Sequence, residues 1–190
     1  MLKSKNRVIL LLNYYMIEAL ISSKTRVKLL LKFFLNSNNT AYLRNLEEEF
    51  KESTNSIRIE LNRFEEAGLL IASSEGNKKI FRVNTSNSFF NDLHSLVKKY
   101  FGIDKIIDQI ILKLGDLQFA FLSGNLAKGL NDEIIELILI GKINQNYLEQ
   151  LVKKAEKEVS RRVNVTVYET LALAQANENN INTYLLLWSK

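Results

Sequence analysis

The stretch Ser53-Thr54-Asn55-Ser56-Ile57-Arg58-Ile59-Glu60-Leu61-Asn62-Arg63-Phe64-Glu65-Glu66-Ala67-Gly68-Leu69-Leu70 decides how the first half of the chain folds. Its first four side chains are of the kind that cap the free amides of a first helical turn. Ile57, Leu61 and Phe64 recur at helical spacing and make one buried stripe. Gly68 supplies the left-handed stop. Thr54, Asn55, Arg58, Asn62 and Arg63 are left on the exposed side. Arg and Asn are the side chains that pair bidentately with guanine and adenine edges in the major groove of DNA.

Downstream the period changes. Residues 69–74 and 79–83 are short strand-like runs around Glu75-Gly76-Asn77-Lys78, which predicts a hairpin with a Gly-Asn turn. Asn77, Lys78 and Lys79 sit at its tip and Arg82 follows, a placement suited to phosphate contacts. Upstream, Val27, Leu30, Leu31 and Phe34 predict a helix over 23–35, ended by Asn36-Ser37-Asn38-Asn39. Leu43, Leu46 and Phe50 mark a short second helix. Its Glu47-Glu48-Glu49 reads as a solvated face turned away from any polyanion.

Beyond the hairpin, Phe89, Leu93, Leu96, Val97 and Tyr100 return to helical spacing. Gly102 breaks that helix. Ile103, Ile106, Ile107, Ile110, Ile111 and Leu114 predict another over 103–114. The remainder alternates: a strand at 118–122, a turn at Ser123-Gly124, and a buried strand at 134–140. A long helix follows through Tyr147, Leu148, Leu151, Val152, Ala155 and Val159, then a strand through Val163, Val165 and Val167. A helix at 170–176 and an edge strand at 184–188 close the chain. The predicted class is α+β: residues 1–101 with an N-terminal helical extension, and a small α/β domain at 102–190.

Composition narrows the chemistry. The chain has 190 residues, 46% of them hydrophobic and 25% charged, which permits a sizeable core. It has no cysteine, excluding disulfides and thiolate metal sites, and one histidine, His94, too few for a two-histidine zinc motif. His94 lacks a catalytic partner in view, so a structural or surface role is expected, as is a core or interface role for Trp188. Proline is absent, leaving turns to Gly, Asn, Asp and Ser. The net charge is +5, and the excess lies in the first half: up to Phe101 there are 16 basic and 10 acidic residues, against 10 and 11 afterwards. That imbalance favours a polyanion partner. The best apolar run, residues 8–21, is interrupted by Asn13 and Glu18 and falls short of the ~20 residues of a membrane span. A cytoplasmic protein is expected, with Met16 an alternative start.

Two resemblances follow from these residues. Ser23-Lys24-Thr25-Arg26-Val27-Lys28-Leu29-Leu30 with Tyr42-Leu43-Arg44-Asn45-Leu46 resembles the first two helices of ArsR-type winged helix-turn-helix transcriptional regulators. Residues 57–70 resemble their recognition helix, and Gly76-Asn77-Lys78-Lys79-Ile80-Phe81 their wing. The likeness covers about residues 20–100 and implies binding to double-stranded DNA, with the cysteine pairs of metal-sensing members missing. In the second half, Phe119-Ala120-Phe121-Leu122-Ser123-Gly124-Asn125-Leu126-Ala127-Lys128-Gly129 followed by Ile134-Ile135-Glu136 resembles the minimal nucleotidyltransferase domain. That family holds phosphates with Gly-Ser-x-Ala-Arg-Gly and two Mg²⁺ ions with three acids. Here Gly124, Lys128 and Gly129 keep the motif and Asn125 replaces the Ser. Ile134, Glu136 and Asn164 stand at the acid positions, so one carboxylate of three remains and two-metal transfer lacks its ligands.

The expected protein is therefore a sequence-specific DNA-binding transcriptional regulator, not an enzyme and without a cofactor. Its second domain is a catalytically inactive nucleotidyltransferase-like one, used for dimerisation, partner binding or sensing. The apolar faces between 88 and 114 are the expected homodimer surface. Two alternatives stand beside it: a divergent nucleotidyltransferase with a metal site rebuilt from Asp132, Glu133 and Glu136, and an interaction protein of the toxin–antitoxin kind. A protein-binding role for the three-helix module is the bland counterpart of DNA binding.

Overall fold

The computed structural model describes residues 21–178 and 184–190, and the chain is a mixed α+β protein. Residues 8–20 of the apolar run and Met16 lie outside the described residues. The chain divides into two compact units. The first takes the described residues up to Val97 together with Gly129–Asn131; the second takes Lys98–Lys128 and Asp132–Lys190. The division thus falls inside a helix, Phe90–Phe101, rather than at the Gly102 break.

In the first unit, helix α1 (Lys24–Phe34) starts at Ser23, whose hydroxyl accepts the Arg26 amide. It buries Leu29, Leu30, Phe33 and Phe34. Strand β1 (Thr40–Tyr42) leads into α2 (Leu43–Phe50), which Lys51 closes in a left-handed conformation. Helix α3 (Thr54–Glu66) starts at Ser53, whose hydroxyl accepts the Ser56 amide at 3.2 Å. Its inner face is Ile57, Glu60, Leu61 and Phe64, so the predicted stripe gains one carboxylate. Strands β2 (Leu70–Glu75) and β3 (Lys78–Val83) form the hairpin, antiparallel from Leu70↔Val83 to Glu75↔Lys78. Gly76 takes φ +57° at the first of two loop positions, where a primed turn needs a residue without a Cβ. β1 pairs with the other side of β3, giving a three-stranded sheet ordered β1-β3-β2. Three residues are too few to show alternation, which is why the sequence carries no sign of β1.

Helix α4 (Phe90–Phe101) follows. Phe89, expected on its buried face, is 65% exposed; Phe90 packs inward instead, against Phe34 and the His94 ring. His94 Nδ1 lies 2.6 Å from the Phe34 carbonyl oxygen and donates to it. That carbonyl belongs to the last turn of α1, where no intrahelical donor remains. This bond ties α4 to the end of α1.

The second unit begins with α5 (Ile103–Gln109) and a 3₁₀ turn, Ile111–Lys113. The predicted continuous helix over 103–114 is thus broken at Ile110. Ile110, Ile111 and Leu114 are all buried along with Ile103 and Ile106, so the helical spacing of the apolar residues gives no sign of the break. Strand β4 (Leu117–Ser123), helix α6 (Gly124–Ala127), strand β5 (Ile134–Gly141), helix α7 (Gln145–Val159), strand β6 (Arg162–Tyr168), helix α8 (Leu171–Asn177) and strand β7 (Leu185–Ser189) complete it. The four-stranded sheet is ordered β6-β5-β4-β7. β5 and β6 run parallel and are joined through α7; the other pairs are antiparallel. β5 is buried along almost its whole length, which explains its unbroken apolar run. Trp188 lies half-buried on β7, paired with Ala120.

On the apolar faces expected to meet a second chain between 88 and 114, Leu93, Leu96 and Ile107 are half-buried. Val97, Tyr100, Phe101, Ile103, Ile106, Ile110, Ile111 and Leu114 are all buried, leaving Phe89 and Leu112 exposed. Among the described residues no helix is long and apolar enough to cross a membrane.

Candidate nucleic-acid interface and a second cavity

In the first unit, β1, the start of α2, the outer face of α3 and the hairpin tip enclose a groove of about 440 Å³. It brings together Arg58 and Asn62 from α3 with Asn77, Lys78 and Lys79 from the hairpin. The α3 side chains converge there because the helix phase that buries Ile57 and Leu61 turns positions 58 and 62 outward. The hairpin register places Lys78 and Lys79 opposite Glu75 and Ser74 at the sheet's end. Thr54, Asn55, Arg63 and Arg82 do not line the groove. Thr54 is half-buried at the helix start, while Asn55, Arg63 and Arg82 are exposed elsewhere on the unit.

Three lining residues escaped the sequence reading: Tyr42, Arg44 and Asn45. A signal for two of them was present. The stripe Leu43, Leu46, Phe50 leaves Arg44 and Asn45 on the polar side of α2's first turn. Tyr42 is brought in by β1. Its hydroxyl donates to Glu75 at 3.0 Å, which raises its pKa, and Lys78 Nζ sits 5.1 Å from its ring centre. Leu43, Leu61 and Phe81 add apolar surface to the walls.

The basic residues differ in what already holds them. Lys79 is paired with Glu65 at 2.6 Å, and Arg63 with Glu60 at 3.1 Å. Arg58 and Lys78 have no carboxylate partner among the described residues, and Arg44 reaches Glu48 only at 4.0 Å with both side chains solvated. Glu60, 6% exposed, also takes two hydrogen bonds from Arg26, at 2.9 and 3.2 Å. Burial opposes its charge, but Arg26 and Arg63 outweigh that and hold the carboxyl below its ordinary pKa. Glu47, Glu48 and Glu49 are all exposed, and Glu49 also pairs with the buried Lys32 at 2.7 Å.

In the second unit, Gly124, Lys128, Glu136 and Asn164 line a cavity of about 430 Å³ with Ser123, Thr166, Glu178 and Tyr184. Glu136 is paired across the sheet with Ser123 on one side and Asn164 on the other, so the sheet brings these positions together. Gly124 has φ +66°, and a Cβ there would run into the Glu136 carboxyl. Tyr168 and Tyr184 donate to opposite oxygens of Glu178 at 2.7 and 3.0 Å. The Tyr168 hydroxyl is raised in pKa chiefly by that bond, the Tyr184 hydroxyl by burial and then by Glu178. Asn125 and Gly129 are not part of this cavity. The Asn125 amide donates to Asp132 at 2.7 Å, and Gly129 groups with the first unit. Asp132 also accepts the Ile134 amide at 3.0 Å, and these bonds lower its pKa. Neither Asp132 nor Glu133 lines the cavity beside Glu136. Among the described residues, no three His, Cys, Asp or Glu side chains are grouped to hold a metal ion.

Against known proteins, no family model matches the chain. No curated protein matches it either. A solved structure, AF1382 from Archaeoglobus fulgidus, is similar at 19% identity, covering 50% of this chain and 96% of that one with a TM-score of 0.35.

Proposed function

We propose that the first unit is a winged helix-turn-helix module that binds double-stranded DNA, with α3 as recognition helix and the β2–β3 hairpin as wing. One observation carries the reading: Arg58 and Asn62, able to pair with base edges, open onto the same groove as Lys78 at the hairpin tip, and among the described residues no carboxylate engages any of the three. A module built for protein contacts has no need of this unneutralised charge. The protein is read as a transcriptional regulator. A two-fold operator would call for a second copy, with recognition helices about 34 Å apart. The test is binding of the full chain to duplex DNA across salt. Affinity should fall linearly with salt on logarithmic axes, and binding that ignores salt would overturn the proposal.

The second unit is read as a nucleotidyltransferase-like domain that performs no transfer. The meeting of Gly124, Lys128, Glu136 and Asn164 in one cavity supports the likeness, and Ile134 and Asn164 at acid positions support inactivity. Because these residues share a cavity, residual nucleotide binding is the second reading. Calorimetry with Mg-ATP separates the two: saturable Mg²⁺-dependent heat favours the enzyme or sensor.

A further inference from the structure

We infer that the phosphate contacts of the groove are made by Arg44 and Lys78, and that Lys79 and Arg63 make none. The inference rests on the DNA-binding reading and assigns within it which cations meet the backbone of a strand. Arg44 comes from the first turn of α2 and Lys78 from the hairpin tip, so the two approach the groove from separate elements. Leu43, Leu61 and Phe81 line the same groove, apolar surface suited to the sugar carbons of a strand.

The cations are sorted by what each must give up to meet a phosphate. Lys79 already has Glu65 at 2.6 Å, and its ammonium lies 5.1 Å from the Phe81 ring centre. Moving it to a phosphate leaves Glu65 unpaired beside a polyanion, exchanging one ion pair for another and adding a repulsion. Arg63 is placed likewise, because Glu60 is buried and would lose one of its two arginines. Lys78 gives up only an aromatic contact, and Arg44 a solvated glutamate at 4.0 Å. Exposed pairs of that kind contribute little. A charge search of the sequence weights Lys78 and Lys79 equally; the fold does not.

The test measures full-length chain on one duplex by fluorescence anisotropy from 50 to 200 mM salt, for wild type and for Arg44→Ala, Lys78→Ala, Lys79→Ala and Arg63→Ala. Each lost phosphate contact should lower the magnitude of the log–log slope by about 0.9, so affinity falls about 3.5-fold less over this range. Arg44→Ala and Lys78→Ala should each show that change, and Lys79→Ala and Arg63→Ala less than half of it. Arg44→Lys should keep the wild-type slope, which separates a lost charge from a damaged helix. A full change in Lys79→Ala or Arg63→Ala, or an unchanged slope in Arg44→Ala or Lys78→Ala, overturns the assignment while leaving DNA binding intact. Wild-type chain that does not bind duplex overturns the DNA reading itself, and this assignment with it.

Discussion

Two single residues carry more than their sequence context promised. Glu60 joins α1 to α3 through Arg26 and to the outer face of α3 through Arg63. Its pKa is depressed in the folded chain, so its contribution is present above the unfolded carboxylate value of about 4.3 and is lost as pH falls below it. Urea midpoints between pH 3 and 7 should therefore show a shallower acid decline in Glu60→Gln than in wild type, with lower stability at pH 7. An identical acid limb would mean that the Arg26 pair does not set it. Gly124 is the second case. Gly124→Ala meets both a left-handed backbone and the Glu136 carboxyl, and should cost more than the ~1–2 kcal/mol of the backbone alone. In a Glu136→Ala background only the backbone part should remain, so a double-mutant cycle on thermal stability should give a coupling above 0.5 kcal/mol. Additive losses would mean that the carboxyl moves aside freely.

At the scale of elements, helix phase was the legible part. The spacing of Ile57, Leu61 and Phe64 sets which side of α3 faces outward, and Arg58 and Asn62 follow from it. Ile57 is fully buried, so Ile57→Asp should leave the first unit unfolded by far-UV circular dichroism, through an unpaired charge in the core. A wild-type melt would mean that the phase is wrong. The hairpin and its Gly76 turn were equally legible, because turn chemistry is local. Pairing between distant segments was not. β1 exists only because β3 offers it an edge, and with it come Tyr42 and the orientation of Arg44. The division of cations into tied and free is invisible in the sequence for the same reason: Glu65 and Lys79 are fourteen positions apart and meet across two elements. Phe89 and Phe90 show the limit of periodicity, where adjacent aromatics compete for one inward position and Phe90 takes it.

For the whole molecule, the two units are read as having separate tasks, with DNA assigned to the first. Its second unit should transfer no label from any nucleoside triphosphate, with Mg²⁺ or Mn²⁺, to itself or to cell extract. Transfer that vanishes in Glu136→Ala would restore the enzyme reading. The central claim is that α3 reads sequence, and selection from randomised duplexes by the full-length chain tests it most directly. The account predicts that wild type enriches one site over random duplex by at least about 10³-fold at physiological salt. Arg58→Ala should then lose roughly 1–3 kcal/mol on that site and relax its preference at one base pair. No enrichment by the wild type, or an equal loss on every sequence in Arg58→Ala, would contradict it.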